Sequence, residues 1–92
     1  MTTWYRRHVD LRLTSLEGEG VVLHLGSRRY FTVSETGLVV LEALKTPGTF
    51  DQLVREVTSK YETDDEKAAE SVREFLKRCT DAGLVVAEER PG

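Results

Sequence analysis

Cysteine is nearly absent. The chain has one, Cys79, so no internal disulfide can staple it, and a lone thiol fits a reducing compartment. No apolar run approaches the ~18 residues that a bilayer crossing needs. The opening Met1–Arg7 stretch lacks the apolar core of a signal peptide. Both absences point to the cytoplasm and away from membranes. Metal-ligand spacing, a glycine-rich phosphate loop and a carboxylate dyad are missing as well. The two histidines, His8 and His24, lie in or near strand-like segments, and nothing around them marks a nucleophile and its base. Cys79 falls on the apolar stripe of a helix, where a cysteine acts as a small buried hydrophobe. No catalytic residue, metal or cofactor is therefore expected.

What is present is a chain of 92 residues, enough for a single domain spanning 1–92. A domain of this size buries about 60–65% of its unfolded surface. Apolar residues at 39% and charged residues at 32% exclude a disordered chain. Net charge is −3, unevenly spread. Residues 1–33 carry five arginines and three acids (5 − 3 = +2), and the remainder carries 8 − 13 = −5. The strand-rich part is mildly basic and the helical part acidic.

Strand signals come first and helix signals follow, an order that suggests an α+β fold. Val9–Thr14 alternates apolar and polar residues. Glu17–Gly20 reads as a turn and Val21–Leu25 as a second strand. Gly26-Ser27 reads as a two-residue hairpin turn with glycine free to take positive φ. Arg28–Val33 then forms the third strand. That turn sets Leu23 opposite Tyr30, Val21 opposite Thr32, Val22 opposite Phe31 and His24 opposite Arg29. Both faces of the hairpin carry apolar residues, so the sheet is either covered on both sides or open on one for docking. Ser34 caps a helix over Glu35–Lys45, and Thr46-Pro47-Gly48 stops it. Thr49–Gln52 has capping-box spacing and opens a second helix. Thr63–Glu66 has the same spacing and opens the longest helix, which buries Ala68, Ala69, Val72, Phe75, Leu76 and Cys79. Gly83 sits where a terminating glycine belongs. Leu84–Ala87 is a short terminal strand or an extended packing segment. Residues 1–8 and 88–92 read as flexible ends. The whole is a three-stranded antiparallel sheet followed by three helices, compatible with a winged-helix-turn-helix-like fold.

The stretch Gly20–Gly37, together with Thr49–Val54, Val72–Leu76 and Asp81–Val85, resembles the PqqD-like proteins. These are recognition elements for ribosomally made, post-translationally modified peptides. The likeness covers residues 9 to 87. It implies that the chain binds the leader of a precursor peptide as an added β-strand, in a cleft between the third strand and the third helix. Stand-alone members occur in lasso-peptide biosynthesis, where a separate leader peptidase and a cyclase act on the precursor. That implies the leader and the peptidase as partners, with the cyclase a further one. In pyrroloquinoline quinone biosynthesis the equivalent protein serves a radical enzyme, which is the alternative partner class.

Residue chemistry fits this implication. The third strand is an edge of a one-two-three meander and offers unpaired backbone groups. Arg28 and Arg29 either blunt that edge or meet the ligand. Tyr30, Phe31, Thr32 and Val33 continue it without proline or charge. The opposite wall is expected from Ala69, Val72 and Leu76, with Arg73 and Lys77 as a basic rim. Val72 and Leu76 also suit a plain core, and Arg73 and Lys77 a solvated face beside Glu70 and Glu74. A winged helix raises DNA binding, but Asp64–Asp81 holds four basic and six acidic residues (4 − 6 = −2), the wrong sign for phosphate. A scaffold that self-associates through the same edge is a third reading, distinguished from the monomer expected of a leader-binding protein by a dimer that leader disrupts.

Overall fold

In a computed structural model of the chain, residues 1–91 are described. The elements run β1 (Thr2–Arg7), β2 (Leu11–Leu16), β3 (Glu19–His24), β4 (Arg29–Val33), α1 (Glu35–Ala43), β5 (Gly48–Thr49), α2 (Phe50–Lys60), α3 (Asp65–Asp81) and β6 (Val85–Arg90). They form two antiparallel three-stranded sheets, ordered β2-β3-β4 and β5-β1-β6. The α+β fold and the three-stranded meander stand. The second sheet is additional to them.

The β3–β4 register has Leu23 opposite Tyr30, Val22 opposite Phe31, Val21 opposite Thr32 and His24 opposite Arg29, as the sequence implies. The turn itself differs. The closing pair is His24 and Arg29, and the positive φ in the loop falls on Arg28 (58°), not on Gly26. A four-residue loop preserves the register of a two-residue one because it extends both strands' gap equally. The β2–β3 turn does require two left-handed residues, Glu17 (φ 46°) and Gly18 (φ 84°), which is the type I′ pattern of tight hairpins.

The chain ends need the largest correction. Residues 1–8 and 88–92 read as flexible ends, yet Thr2–Arg7 pairs along its whole length with Val85–Arg90. Gly92 lies outside the described residues. On one face of this ladder Arg6 and Arg90 both bond to Glu88, at 2.7 and 3.1 Å, and the Arg90 guanidinium sits 5.2 Å over the Trp4 ring. On the other, Arg7 reaches the Leu41 carbonyl at the end of α1 (3.1 Å). The partners lie at opposite ends of the sequence, so no local pattern announces them.

Helix caps follow the local chemistry. The Ser34 hydroxyl accepts from the Gly37 amide, and Thr49 and Gln52 form a reciprocal capping box. The cap of α3 is Asp64, one residue beyond Thr63, its carboxylate accepting from the Lys67 amide at 2.7 Å. An anion at this end also suits the helix dipole. At the far end Gly83 takes φ 77°, while the Leu84 amide donates to Cys79 and the Gly83 amide to Thr80. This 6→1 and 5→2 pairing is a Schellman motif.

The core gathers Leu11 and Val22 from the meander, Leu38, Leu41 and Leu44 around α1, Leu53 and Val57 from α2, and Ala68, Val72, Leu76 and Cys79 from α3. Gly20 lies beneath it, where an added Cβ would come within 2.7 Å of Val33 and 3.1 Å of Leu38. Gly20→Ala is expected to cost about 1–3 kcal/mol of folding stability through overpacking, read from the urea midpoint. A shift worth only a few tenths of a kcal/mol would show that the meander does not pack this closely on α1.

Candidate functional site: an open strand edge beside a helix

β4 is an edge strand of its sheet. Which backbone groups it leaves open follows from the turns. In a two-residue I′ hairpin the pair flanking the turn, here Leu16 and Glu19, is hydrogen-bonded, and bonded and non-bonded pairs then alternate. β3 therefore turns Glu19, Val21 and Leu23 toward β2, and Gly20, Val22 and His24 toward β4. Their partners on β4 are Val33, Phe31 and Arg29. The N–H and C=O groups of Tyr30 and Thr32 point to the free edge.

Side chains alternate in the other sense. Phe31 and Val33 share the inner face with buried Val22. Phe31 is half-buried against the core, with the Arg29 guanidinium 5.5 Å over its ring. Tyr30 points outward and is 72% exposed, beside Leu23 at 37%. Of the two aromatics, Phe31 faces the helical side. The outer face, with Val21, Leu23 and Tyr30, is the open one. Arg28 is exposed in the turn.

Beyond the end of β4 lies a cavity of about 190 Å³, lined by Ser34, Thr36 and Gly37 on one side and Ser71, Glu74, Phe75 and Arg78 of α3 on the other. Gly37 lies directly against the Phe75 ring. A Cβ at that position would come within 2.7 Å of the Phe75 ring. The small residue one turn into α1 thus lets α3 approach with a half-buried aromatic side chain on its flank. The helical wall of this cavity, next to the residue that follows β4, is Ser71, Glu74, Phe75 and Arg78.

The helical residues expected from the sequence lie elsewhere. Val72 is fully buried and Leu76 is 3% exposed, so both pack in the core. Leu76, Arg73 and Lys77 line a different cavity with Tyr5, Phe50, Thr80 and Ala87. Ala69 lines a third with Phe50, Asp51, Val54, Arg55, Thr58 and Asp65. At about 100° per residue, positions 73 and 77 fall on nearly the opposite flank of α3 from 71, 75 and 78. The structure separates Arg73 and Lys77 from the strand edge. Phe75 carried the missing signal in the sequence: a large aromatic at the margin of the stripe, facing a glycine.

The His8 and His24 rings lie 4.6 Å apart, and each Nδ1 accepts a backbone N–H, from Asp10 and Ser27 respectively. Cys79 is buried, and loss of hydration pushes its thiol up to about 11, against the opposing pull of Arg78. Among the described residues no group of three or more His, Cys, Asp or Glu could hold a metal ion. No described helix is long and apolar enough to cross a membrane.

Residues 19–85 match the family model described as coenzyme PQQ synthesis protein D (PqqD). The chain belongs to the PqqD family. The fold agrees with that of solved structures. TbiB1 in complex with the TbiA(beta) leader peptide matches with a TM-score of 0.74 at 20% identity, over 95% of this chain and 99% of that one. A lasso peptide synthetase B1 complexed with the leader peptide matches at 0.70 and 15% identity, over 89% and 96%. The PqqD truncation of Methylobacterium extorquens PqqCD, a stand-alone recognition element, matches at 0.73 and 19% identity, over 95% and 89%. No curated protein matches the chain.

The thiol's environment sets a simple expectation. A group whose ionisation is displaced to about 11 stays protonated at pH 8, and the thiolate is the reactive form. Iodoacetamide at pH 8 should label Cys79 far more slowly in the folded protein than in urea. Equal rates would place the thiol at the surface.

Proposed function

We propose that the protein binds the leader segment of a ribosomally made precursor peptide as a strand added to β4, and that it performs no bond chemistry itself. The observation that carries this reading is the open edge at Tyr30 and Thr32, together with the half-buried Phe31 and the half-buried Phe75 on the α3 flank that meets Gly37, just past β4. The leader-bound proteins that share the fold support it.

The energetics explain why both parts are needed. Ordering a peptide costs about 1–2 kcal/mol per residue. Each backbone hydrogen bond returns a net of about 1 kcal/mol. Strand pairing alone therefore nearly cancels. Apolar anchors worth about 1.5–3 kcal/mol each supply the affinity. A strand paired to β4 turns alternate side chains inward, toward Phe31, Val33 and the Phe75 flank. Arg29 and Arg78 sit where acidic leader residues can meet them, and Arg28 lies at the turn end of the same edge.

The protein then acts as an adaptor in the cytoplasm. It raises the local concentration of the precursor at a separate leader peptidase and, in the lasso-type setting, a cyclase. A radical modifying enzyme would use the same leader grip.

Titration with the leader of the precursor encoded beside this protein tests the reading. Saturable binding at or below tens of micromolar is expected, and none at that concentration refutes it. Thr32→Pro removes an N–H that β3 does not use, so the sheet should survive, as proline is tolerated on an edge strand. Affinity for the leader should fall at least tenfold with an unchanged circular dichroism spectrum. Unaltered affinity would move the peptide off β4.

A further inference from the structure

The cavity lined by Arg73 and Lys77 is larger than the one beyond the end of β4, at about 520 Å³. It lies between the β1–β6 ladder, the start of α2 and α3. Tyr5 and Ala87 are paired across that ladder and form one wall. Phe50, the first residue of α2, forms a second, and Leu76 contributes from α3. Arg73, Lys77 and Thr80 line the α3 side, and the Arg73 guanidinium sits 5.4 Å over the Phe50 ring.

The charge on this wedge is one-sided. Its lining has two cations and no acid, in a chain of net charge −3. Glu70, Glu74 and Asp81 lie three or four positions from Arg73 or Lys77 on α3, yet neither cation is ion-paired. Among the described residues the ion pairs are Arg6–Glu88 and Arg90–Glu88. The wedge thus combines two aromatic rings and a leucine with two positive charges that no carboxylate neutralises, Arg73 over the Phe50 ring and Lys77. This complements an apolar side chain flanked by carboxylates.

We propose that the wedge is a second binding site, which takes an acidic segment with one apolar anchor from the enzyme that processes the bound precursor. The partner's identity rests on the leader-binding reading above. The site itself rests on its lining. An enzyme segment suits the position better than a second stretch of precursor. The wedge lies on nearly the opposite flank of α3 from the β4 edge, so leader and enzyme can be held together, which delivery requires. The apolar anchor supplies most of the affinity, because exposed ion pairs add little singly and act mainly on partner choice and encounter rate.

Two arms test this. In the first, the ¹⁵N-labelled full chain is titrated with acetyl-Phe-Asp-Glu-amide and with its neutral counterpart, acetyl-Phe-Asn-Gln-amide. Shift changes should centre on Tyr5, Phe50, Thr80 and Ala87, with at least fivefold weaker binding of the neutral probe. Absence of shifts there, or equal binding of both probes, would overturn the proposal. In the second, Arg73→Glu with Lys77→Glu is compared with the native chain in leader removal by the peptidase. Both residues are exposed, so the fold should persist, and Arg73→Gln with Lys77→Gln should give an intermediate effect. The peptidase's kcat/KM should fall at least fivefold while leader affinity stays within twofold. Unchanged processing would overturn the proposal, and so would a parallel loss of leader affinity. If the native chain binds no leader, the leader-binding reading fails, and the probe arm decides the wedge alone.

Discussion

The buried stripe of α3 is the constraint on which the rest depends. Ala68, Val72, Leu76 and Cys79 pack into the core, and burying them fixes the rotation of the helix. Once that is set, the two remaining flanks have no freedom. One meets the first turn of α1 and the end of β4, where Gly37 accepts the Phe75 ring. The other faces Tyr5, Phe50 and Ala87. The helix is thus a partition between two surfaces of different chemistry. One pairs an open strand edge with an aromatic flank. The other is an apolar wedge with two cations.

The β1–β6 ladder makes the second surface possible. Without it α3 would end against solvent. With it, the chain's two ends are joined, and the His8 amide donates to the Leu84 carbonyl just past the Schellman turn. Among the described residues β4 pairs with β3 alone, so its other edge stays open. A strand-adding ligand therefore meets a backbone already held straight by β3.

Much of this was legible locally, and the illegible parts share one cause. The hairpin register, the Ser34 cap and the Thr49–Gln52 capping box depend on neighbours a few residues away, and the sequence reads them correctly. The cap of α3 slips by one because Thr63 and Asp64 both suit the role, and the carboxylate is preferred at a helix's positive end. β1 is not legible, since Thr2–Arg7 has little apolar alternation and its partner is at the far end of the chain. Val72 and Leu76 are legible as a stripe. Which flank of that stripe faces β4 is a tertiary fact, so local spacing does not separate Arg73 and Lys77 from the flank of Phe75, which is half-buried against the core.

Strand addition at β4 is the central claim, and amide hydrogen exchange tests it most directly. In the free protein the amides of Phe31 and Val33 should exchange slowly, because β3 holds them, while those of Tyr30 and Thr32 exchange fast. With saturating leader peptide, Tyr30 and Thr32 should slow by at least tenfold, and Phe31 and Val33 should change little. Leader binding that leaves Tyr30 and Thr32 as fast as in the free protein would contradict the account.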